Sequence, residues 1–273
     1  MSGTGVEVSV VIVAWRARED VLRCLESLRA HVRLSYEVIV VDDGSGDGTP
    51  EAVRERFPDA QVVAKTVNQG LAAGRNDALP LIAGARVLML DADTEVRPGA
   101  VETLASVLDE HPEVGLVSPK LLFPDGSLQL SCRRYPPLAL PFLRRGPYAR
   151  LSSNPTPHRR HMMQDFDHAA RRPVVWTIGA AQMYRSDLPA RIGVYDDRIS
   201  SYGGEDTDWC LRVLAGGLEV WYVPDAEVTH VYQQVTHQSR FGAKSRRQLR
   251  DFYYVQWKHR HMRRSTLVAQ GNR

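Results

Sequence analysis

The chain has 273 residues, of which 43% are apolar and 25% charged, and its formal net charge is +3. That length carries one large α/β domain or two small ones, and the composition is that of a soluble globular protein. No apolar run reaches the roughly 18 residues that would span a bilayer, and Met1–Glu7 lacks the charged and apolar blocks of a signal peptide. The three cysteines, Cys24, Cys132 and Cys210, are odd in number and widely spaced. They suggest neither a disulfide framework nor a zinc site, and fit a reducing cytoplasm.

Val8 to Val13 is a nearly continuous β-branched run and predicts a buried strand. Ala14 and Trp15 form its exit loop. Val21, Leu22, Leu25 and Leu28 repeat at helical spacing, so an amphipathic helix follows. Glu37 to Val41 is a second strand and runs into Asp42-Asp43-Gly44-Ser45-Gly46-Asp47-Gly48, a tight loop. Thr49 and Pro50 then read as the N-cap and first residue of a helix. This strand–helix alternation predicts a parallel sheet with right-handed crossovers. Gln61 to Ala64 is a short third strand, and Asn68 to Asn76 opens the next helix.

Val87-Leu88-Met89-Leu90 is followed at once by Asp91-Ala92-Asp93. A buried strand there delivers two acids at its carboxyl end, where open α/β sheets place ligands. Residues two apart in an extended chain point the same way. Two adjacent carboxylates repel unless a cation lies between them, and a hard divalent ion carrying a diphosphate meets that need. The plainer reading is a solvated strand end.

A helix over Val101 to Leu108, a strand from Val114 to Val117 and a hairpin turn at Phe123–Ser127 follow. Arg133 to Pro173 carries seven prolines and reads as a long loop or partly ordered insert. Regular structure resumes at Val174–Thr177 and Gly179–Tyr184. Glu205 to Leu214 is helical and stops at Gly216–Gly217. Leu218–Val223 and Glu227–Val231 are two short strands. The tail from Arg240 to Arg264 sets nine basic residues and several aromatics against Asp251 alone.

The chemistry gathers in three places. Asp43 ends the second strand, where it can accept a hydrogen bond from a base N–H or satisfy its own turn. Glu205 and Asp206 open a helix, either as dipole-favoured N-terminal acids or as a general base in a cleft. His230 ends a strand, either packed or as a third ligand beside carboxylates. No glycine-rich dinucleotide fingerprint and no phosphate loop with lysine occurs, which argues against nicotinamide binding and P-loop chemistry.

Taken in order, the first strand, Asp42-Asp43-Gly44-Ser45, Asn68-x-Gly70 with Arg75-Asn76, Asp91-Ala92-Asp93 and Gly204-Glu205-Asp206-x-Asp208 resemble glycosyltransferase family 2. Trp176 through Gly179-Ala180, Tyr222-Val223-Pro224-Asp225-Ala226 and Tyr253-Tyr254 with Lys258-His259 look most like its rhamnosyltransferase-like branch. One departure is Gly203–Gly204, where that branch usually carries a large residue. The resemblance implies a GT-A fold: a Rossmann-like, mostly parallel sheet flanked by helices, with a C-terminal acceptor-side region and a basic helical tail. The implied division is one domain over residues 1–235, with a donor half to about 125, the insert at 133–173 and an acceptor half at 174–235. A tail follows over 236–273.

By position, Ala14, Trp15, Asp43, Asn68, Gly70, Arg75, Asp91 and Ala92 resemble the nucleotide- and donor-sugar-binding residues. Asp93 and His230 resemble metal ligands for Mn²⁺ or Mg²⁺. Asp206 resembles the catalytic base, with Glu205 beside it, and Trp176, Gly179, Gly204 and Asp208 fall on the acceptor side. The implied activity is inverting transfer of a hexose from a pyrimidine-nucleotide donor, with dTDP-rhamnose ahead of a UDP-sugar. The acceptor is a saccharide, a lipid-linked saccharide or a small molecule. The basic tail is either a solvated helix or a contact to an anionic membrane surface, which would make a cytoplasmic chain peripheral at the inner face. A homodimer is one option for its assembly. The rival readings are a nucleotidyltransferase making a nucleotide sugar and, against the grain of the acidic clusters, a nucleic-acid-binding module using the tail. No nucleic-acid partner is expected.

Overall fold

The computed structural model describes residues 5–136, 138, 156–200, 204–231 and 243–262. Strands β1 (Val8–Ala14), β2 (Tyr36–Asp42), β3 (Gln61–Ala64) and β4 (Arg86–Asp91) are linked through helices α1 (Arg18–His31), α2 (Thr49–Arg56) and α3 (Leu71–Ala78). They form a parallel block in the order β3-β2-β1-β4. Side chains alternate across it. Val10, Ile12, Leu88 and Leu90 pack with α1 and with α4 (Ala100–Glu110), whereas Val11, Val87 and Met89 pack on the opposite face. Both faces are covered, which is why these strands read as unbroken apolar runs.

Beyond β4 the sheet is mixed, with parallel and antiparallel pairings side by side. The chain next lays down β5 (Thr94–Val96), β6 (Val114–Leu122), β7 (Leu128–Gln129) and β8 (Cys132–Arg133). Strand β7 folds back on β6 as the hairpin that the Phe123–Ser127 turn predicts. After the short helix α5 (Thr156–His161) come β9 (Arg172–Pro173), β10 (Trp176–Thr177) and β11 (Ala181–Arg185). Strand β11 lies between β4 and β6, antiparallel to both. It enters the sheet at the carboxyl end of β4, so Ala180 accepts the Asp91 amide at 2.9 Å. The polypeptide just before β11 therefore arrives where the parallel block delivers its acids.

Helices α6 (Leu188–Ile192) and α7 (Gly204–Ala215) lead into β12 (Glu219–His230), and α8 (Ala243–Lys258) follows. Strand β12 is one strand where two were expected. It stays paired with β6 across a register shift between Val223 and Glu227, the place where Pro224 cannot donate a ladder bond. Its far end pairs antiparallel with β5, setting His230 opposite Thr94.

One further detail differs from expectation. Thr49 is the first residue of α2 and not its cap; the Asp47 carboxylate accepts both the Thr49 amide (3.0 Å) and its hydroxyl (2.6 Å). The described parts of the 133–173 insert are ordered. There Arg134 and His161 exchange backbone and ring hydrogen bonds at 3.0 and 2.9 Å, and Arg134 pairs with Asp165 at 2.7 Å. The rest of the insert, Gly203 and the tail positions Arg240, Arg263 and Arg264 lie outside the described residues.

Candidate active site

Parallel registration aligns the ends of three strands. Ala14 sits beside Asp42 of β2, and Val13 beside Asp91 of β4. The loops that follow form one edge of a cleft. Trp15 is exposed on it, with the Arg16 guanidinium 4.9 Å from its ring centre. Arg16 adopts φ 53°, a left-handed backbone rare for a non-glycine residue, and its amide donates to Ser45 Oγ at 2.8 Å. Gly44 presses on the backbone of Val67 and Asn68, leaving no room for a β-carbon.

Asp43 is buried. Its carboxylate accepts the amides of Gln69 (3.0 Å) and Gly70 (2.7 Å) and pairs with Lys65 at 3.0 Å. Asp43 thus ties the Asn68–Gly70 loop to the end of β2. A carboxylate has about four acceptor positions, so one remains for a ligand. Lys65, which also pairs with Asp77 at 2.9 Å, carried no sequence signal.

Asp91, Asp93 and His230 converge, each offering a ligand atom within 4.8 Å of the others. They lie far apart in sequence, and the β5–β12 pairing brings them together. His230 Nε2 is 3.3 Å from Asp93 Oδ1, while its Nδ1 is 2.8 Å from Gln129 Oε1. A ring N–H given to that amide oxygen leaves Nε2 as the atom facing the carboxylates, the arrangement by which outer groups orient a metal-binding imidazole. Burial would lower the His230 pKa, but the Asp93 carboxylate outweighs it and raises it. Burial pushes Asp91 up to about 6 against the pull of Arg75 and His230. Two carboxylates and an oriented imidazole fit a Mn²⁺- or Mg²⁺-like ion. Gln129 is a site residue that the sequence did not reveal, since nothing in a hairpin glutamine marks it.

Across the cleft, Asp206 stands in the first turn of α7. Its Oδ1 is 3.0 Å from Arg75 Nη1, and its Oδ2 accepts the Gly179 amide at 2.7 Å. Arg75 is buried, donates also to the Gly179 carbonyl (3.2 Å), and lies 3.6 Å from Asp91. A β-carbon on Gly179 would overlap Asp206 Oδ1, so glycine is required there. Glu205 is buried too, with its Oε2 unpartnered. Burial, then the neighbouring Asp206, raises its pKa well above the carboxylate range.

The remaining acceptor-side candidates separate. Gly204 begins α7. Trp176 is buried and donates to the Arg134 carbonyl at 3.2 Å. Asp208 turns from the cleft toward Lys258 and His259 at the end of α8, with Arg212 of its own helix as a third partner. Ala92 is buried between the two acids of its motif.

The model of glycosyl transferase family 2 matches residues 9–170. The chain is a family 2 glycosyltransferase. That membership removes the nucleotidyltransferase alternative. An N-acetylglucosaminyl-diphospho-decaprenol L-rhamnosyltransferase of Mycobacterium tuberculosis is 29% identical over 240 residues, covering 81% of this chain and 75% of its own length. Among solved structures, GalNAc-T7 with UDP, GalNAc and Mn²⁺ superposes with a TM-score of 0.67 at 17% identity, over 93% of this chain. This chain spans only 48% of that one. A mannosyltransferase of Pyrobaculum calidifontis with GDP-Man and Mn²⁺ gives 0.56 at 19% identity, over 97% of this glycosyltransferase and 73% of its own chain. These similarities establish the GT-A fold for the enzyme. No helix among the described residues is long and apolar enough to cross a membrane.

Proposed function

We propose that this glycosyltransferase moves a hexose, with L-rhamnose from dTDP-rhamnose the leading candidate, to an acceptor hydroxyl with inversion at the anomeric carbon. The observation that carries the reading is the opposition of Asp206 to the Asp91–Asp93–His230 cluster, with Arg75 between them. A single positioned base facing a cation site fits one direct displacement. Asp206 takes the proton of the acceptor hydroxyl, the freed oxygen bonds to the anomeric carbon, and the bond to the nucleoside diphosphate breaks with its electron pair leaving on phosphate. Asp93 and His230, with Asp91 adjacent, would hold a divalent ion, which would supply stabilisation of that leaving charge. Asp43, the Asn68–Gly70 loop, Ala14 and Trp15 hold the pyrimidine nucleoside. Glu205, buried and with a free oxygen, faces the acceptor or tunes its neighbour.

The choice of rhamnose rests on the mycobacterial relative, whose name also specifies a diphospho-decaprenol-linked acceptor. An acceptor of that class in a bilayer agrees with α8, where Arg246, Arg250, Tyr253 and Trp257 are exposed along one side. Basic and aromatic residues in such a stripe suit an anionic membrane interface.

Thermal unfolding with dTDP, UDP, GDP and ADP, with and without Mn²⁺, tests the donor site. A Mn²⁺-dependent rise with dTDP or UDP alone supports the reading, since a ligand at a hundred times its Kd adds about 2.7 kcal/mol. A rise with GDP or ADP instead overturns the pyrimidine assignment. A transfer product that keeps the donor's anomeric configuration by NMR overturns the displacement. Sedimentation with anionic vesicles tests the membrane contact; binding that neither follows the anionic lipid nor weakens with salt counts against it.

A further inference from the structure

Helix α7 carries Glu205, Asp206 and Asp208 within its first turns, all three buried. At 3.6 residues per turn, residues two apart point to opposite sides of a helix. Asp206 accordingly faces Arg75 in the cleft, and Asp208 faces the other way. A wholly buried carboxylate is costly unless paired. Asp208 is paired threefold: with Arg212 at 2.9 Å from its own helix, and with Lys258 and His259, both at 2.8 Å, from α8 and the residue after it.

Lys258 makes a second bond, 2.7 Å to Asp196 Oδ2, and Tyr254 donates to the same oxygen at 2.9 Å. Asp251 accepts the Ser200 amide at 3.0 Å, and Gln256 donates to the Pro136 carbonyl at 3.0 Å. Helix α8 is therefore bonded to both stretches that border the acceptor side, the one entering the insert and the one approaching α7. None of these bonds reaches the donor loops or the cation cluster.

We infer that Lys258 and His259 are positioning residues, which clamp Asp208 from behind and so fix the rotation of α7 that aims Asp206 into the cleft. This rests on Asp206 being the base. Arg75 pulls the helix from the front and the α8 pair holds it from the back. With the rear pair gone, Asp208 keeps only Arg212 of its own helix, so nothing on α8 fixes the rotation of α7 through Asp208, and Asp206 loses its aim.

The test compares Lys258→Met, Asp208→Asn, His259→Gln, Lys258→Arg and the double variant Lys258→Met/Asp208→Asn in the full chain. Nucleotide affinity in Mn²⁺ is read alongside kcat at saturating donor and alongside hydrogen exchange of the α7 amides. Expected are an unchanged nucleotide Kd, a loss of kcat of at least about tenfold, which is about 1.4 kcal/mol of transition-state energy, and faster exchange in α7 but not in β1 or β4. Lys258→Arg should recover kcat, and the double variant should be less than additive, since the two groups act on each other.

An unchanged kcat and unchanged α7 exchange in Lys258→Met overturn the inference. So does parallel loss of nucleotide binding and turnover, which marks α8 as a general support of the fold. If the wild-type chain transfers no sugar, the reading of the reaction fails by itself, and α7 exchange still decides whether the clamp exists.

Discussion

Arg75 bridges two carboxylates that belong to opposite halves of the cleft: its Nη1 is 3.0 Å from Asp206 and its Nη2 is 3.6 Å from Asp91. One buried guanidinium thus balances the acceptor-side acid and the donor-side acid together. It also lies over the Tyr195 ring, 5.3 Å from the ring centre. Arg75→Met would leave Asp206 unpaired in a buried setting. Removing one partner of such a pair destabilises by about 3–5 kcal/mol. We expect a large fall in Tm, together with loss of turnover, and a smaller fall in both for Arg75→Lys, which keeps the charge but not the fork. Unchanged Tm in Arg75→Met would mean that solvent already screens the pair.

Gly179→Ala probes the proposed base from the other side. The added methyl collides with Asp206 Oδ1, and the Gly179 amide is the donor to Oδ2. A displacement of the order of 1 Å at a reacting group costs about a hundredfold in rate. Steady-state kinetics should show kcat reduced on that scale with nucleotide binding retained. A variant as active as the parent would remove Asp206 from the reaction.

The proposed metal cluster yields a prediction at a residue outside its ligands. Gln129 fixes the His230 ring through Nδ1. Loss of an outer-sphere partner weakens metal binding by about 10–100-fold. Mn²⁺ titration of Gln129→Ala in the presence of nucleotide, followed by paramagnetic resonance, should show that weakening, and Asp93→Asn a greater one. Equal affinity in Gln129→Ala and wild type would show that the ring is oriented without the amide.

Much of this was legible in sequence, for a physical reason. Strands covered on both faces are continuous apolar runs, so β1, β2 and β4 announce themselves, and the loops at their ends carry Asp43, Asp91 and Asp93 as expected of a parallel block. Helix α7 was legible through its acids and its terminal glycines. The pairing of His230 with Asp93 needed long-range register: β12 must run unbroken past Pro224 to meet β5. Gln129 and Lys65 act only through distant partners, and a lone glutamine or lysine has no local pattern. Asp208 misled because spacing along a helix motif does not reveal which side faces the cleft; its partners on α8 decide that.

Glu205 gives a stability prediction with a definite sign. Its folded pKa is raised, by burial first and then by Asp206, so the stability that its protonated form provides is present below its unfolded value and lost as pH rises through the folded one. Above that point the chain carries an ionised, buried carboxylate with one oxygen unpartnered. Glu205→Gln, which is neutral at every pH, should raise Tm at about pH 8, by about 2–4 °C for each kcal/mol recovered, and lower turnover. A Tm difference that does not grow with pH would show that Glu205 is already neutral throughout.

Asp196 and Asp208 give the opposite sign. Burial pushes each upward, but at Asp196 the bonds from Arg198, Lys258 and Tyr254 outweigh it, and at Asp208 those from His259, Arg212 and Lys258 do so. Both pKa values are therefore lowered in the folded chain. Their contribution is present above the unfolded value of about 4 and drains away as pH falls from there through the folded values. Both acids anchor α8, so acid should release that helix before the sheet unfolds. Limited proteolysis between about pH 5 and about pH 3 should cut within α8 while residues of β1 and β4 stay resistant. Lys258→Met should move that release to higher pH, because Asp196 and Asp208 lose the cation they share and are protonated earlier. Cleavage that begins only with global unfolding, at the same pH in both proteins, would show that α8 is held by its apolar face at Val255 and not by its charges.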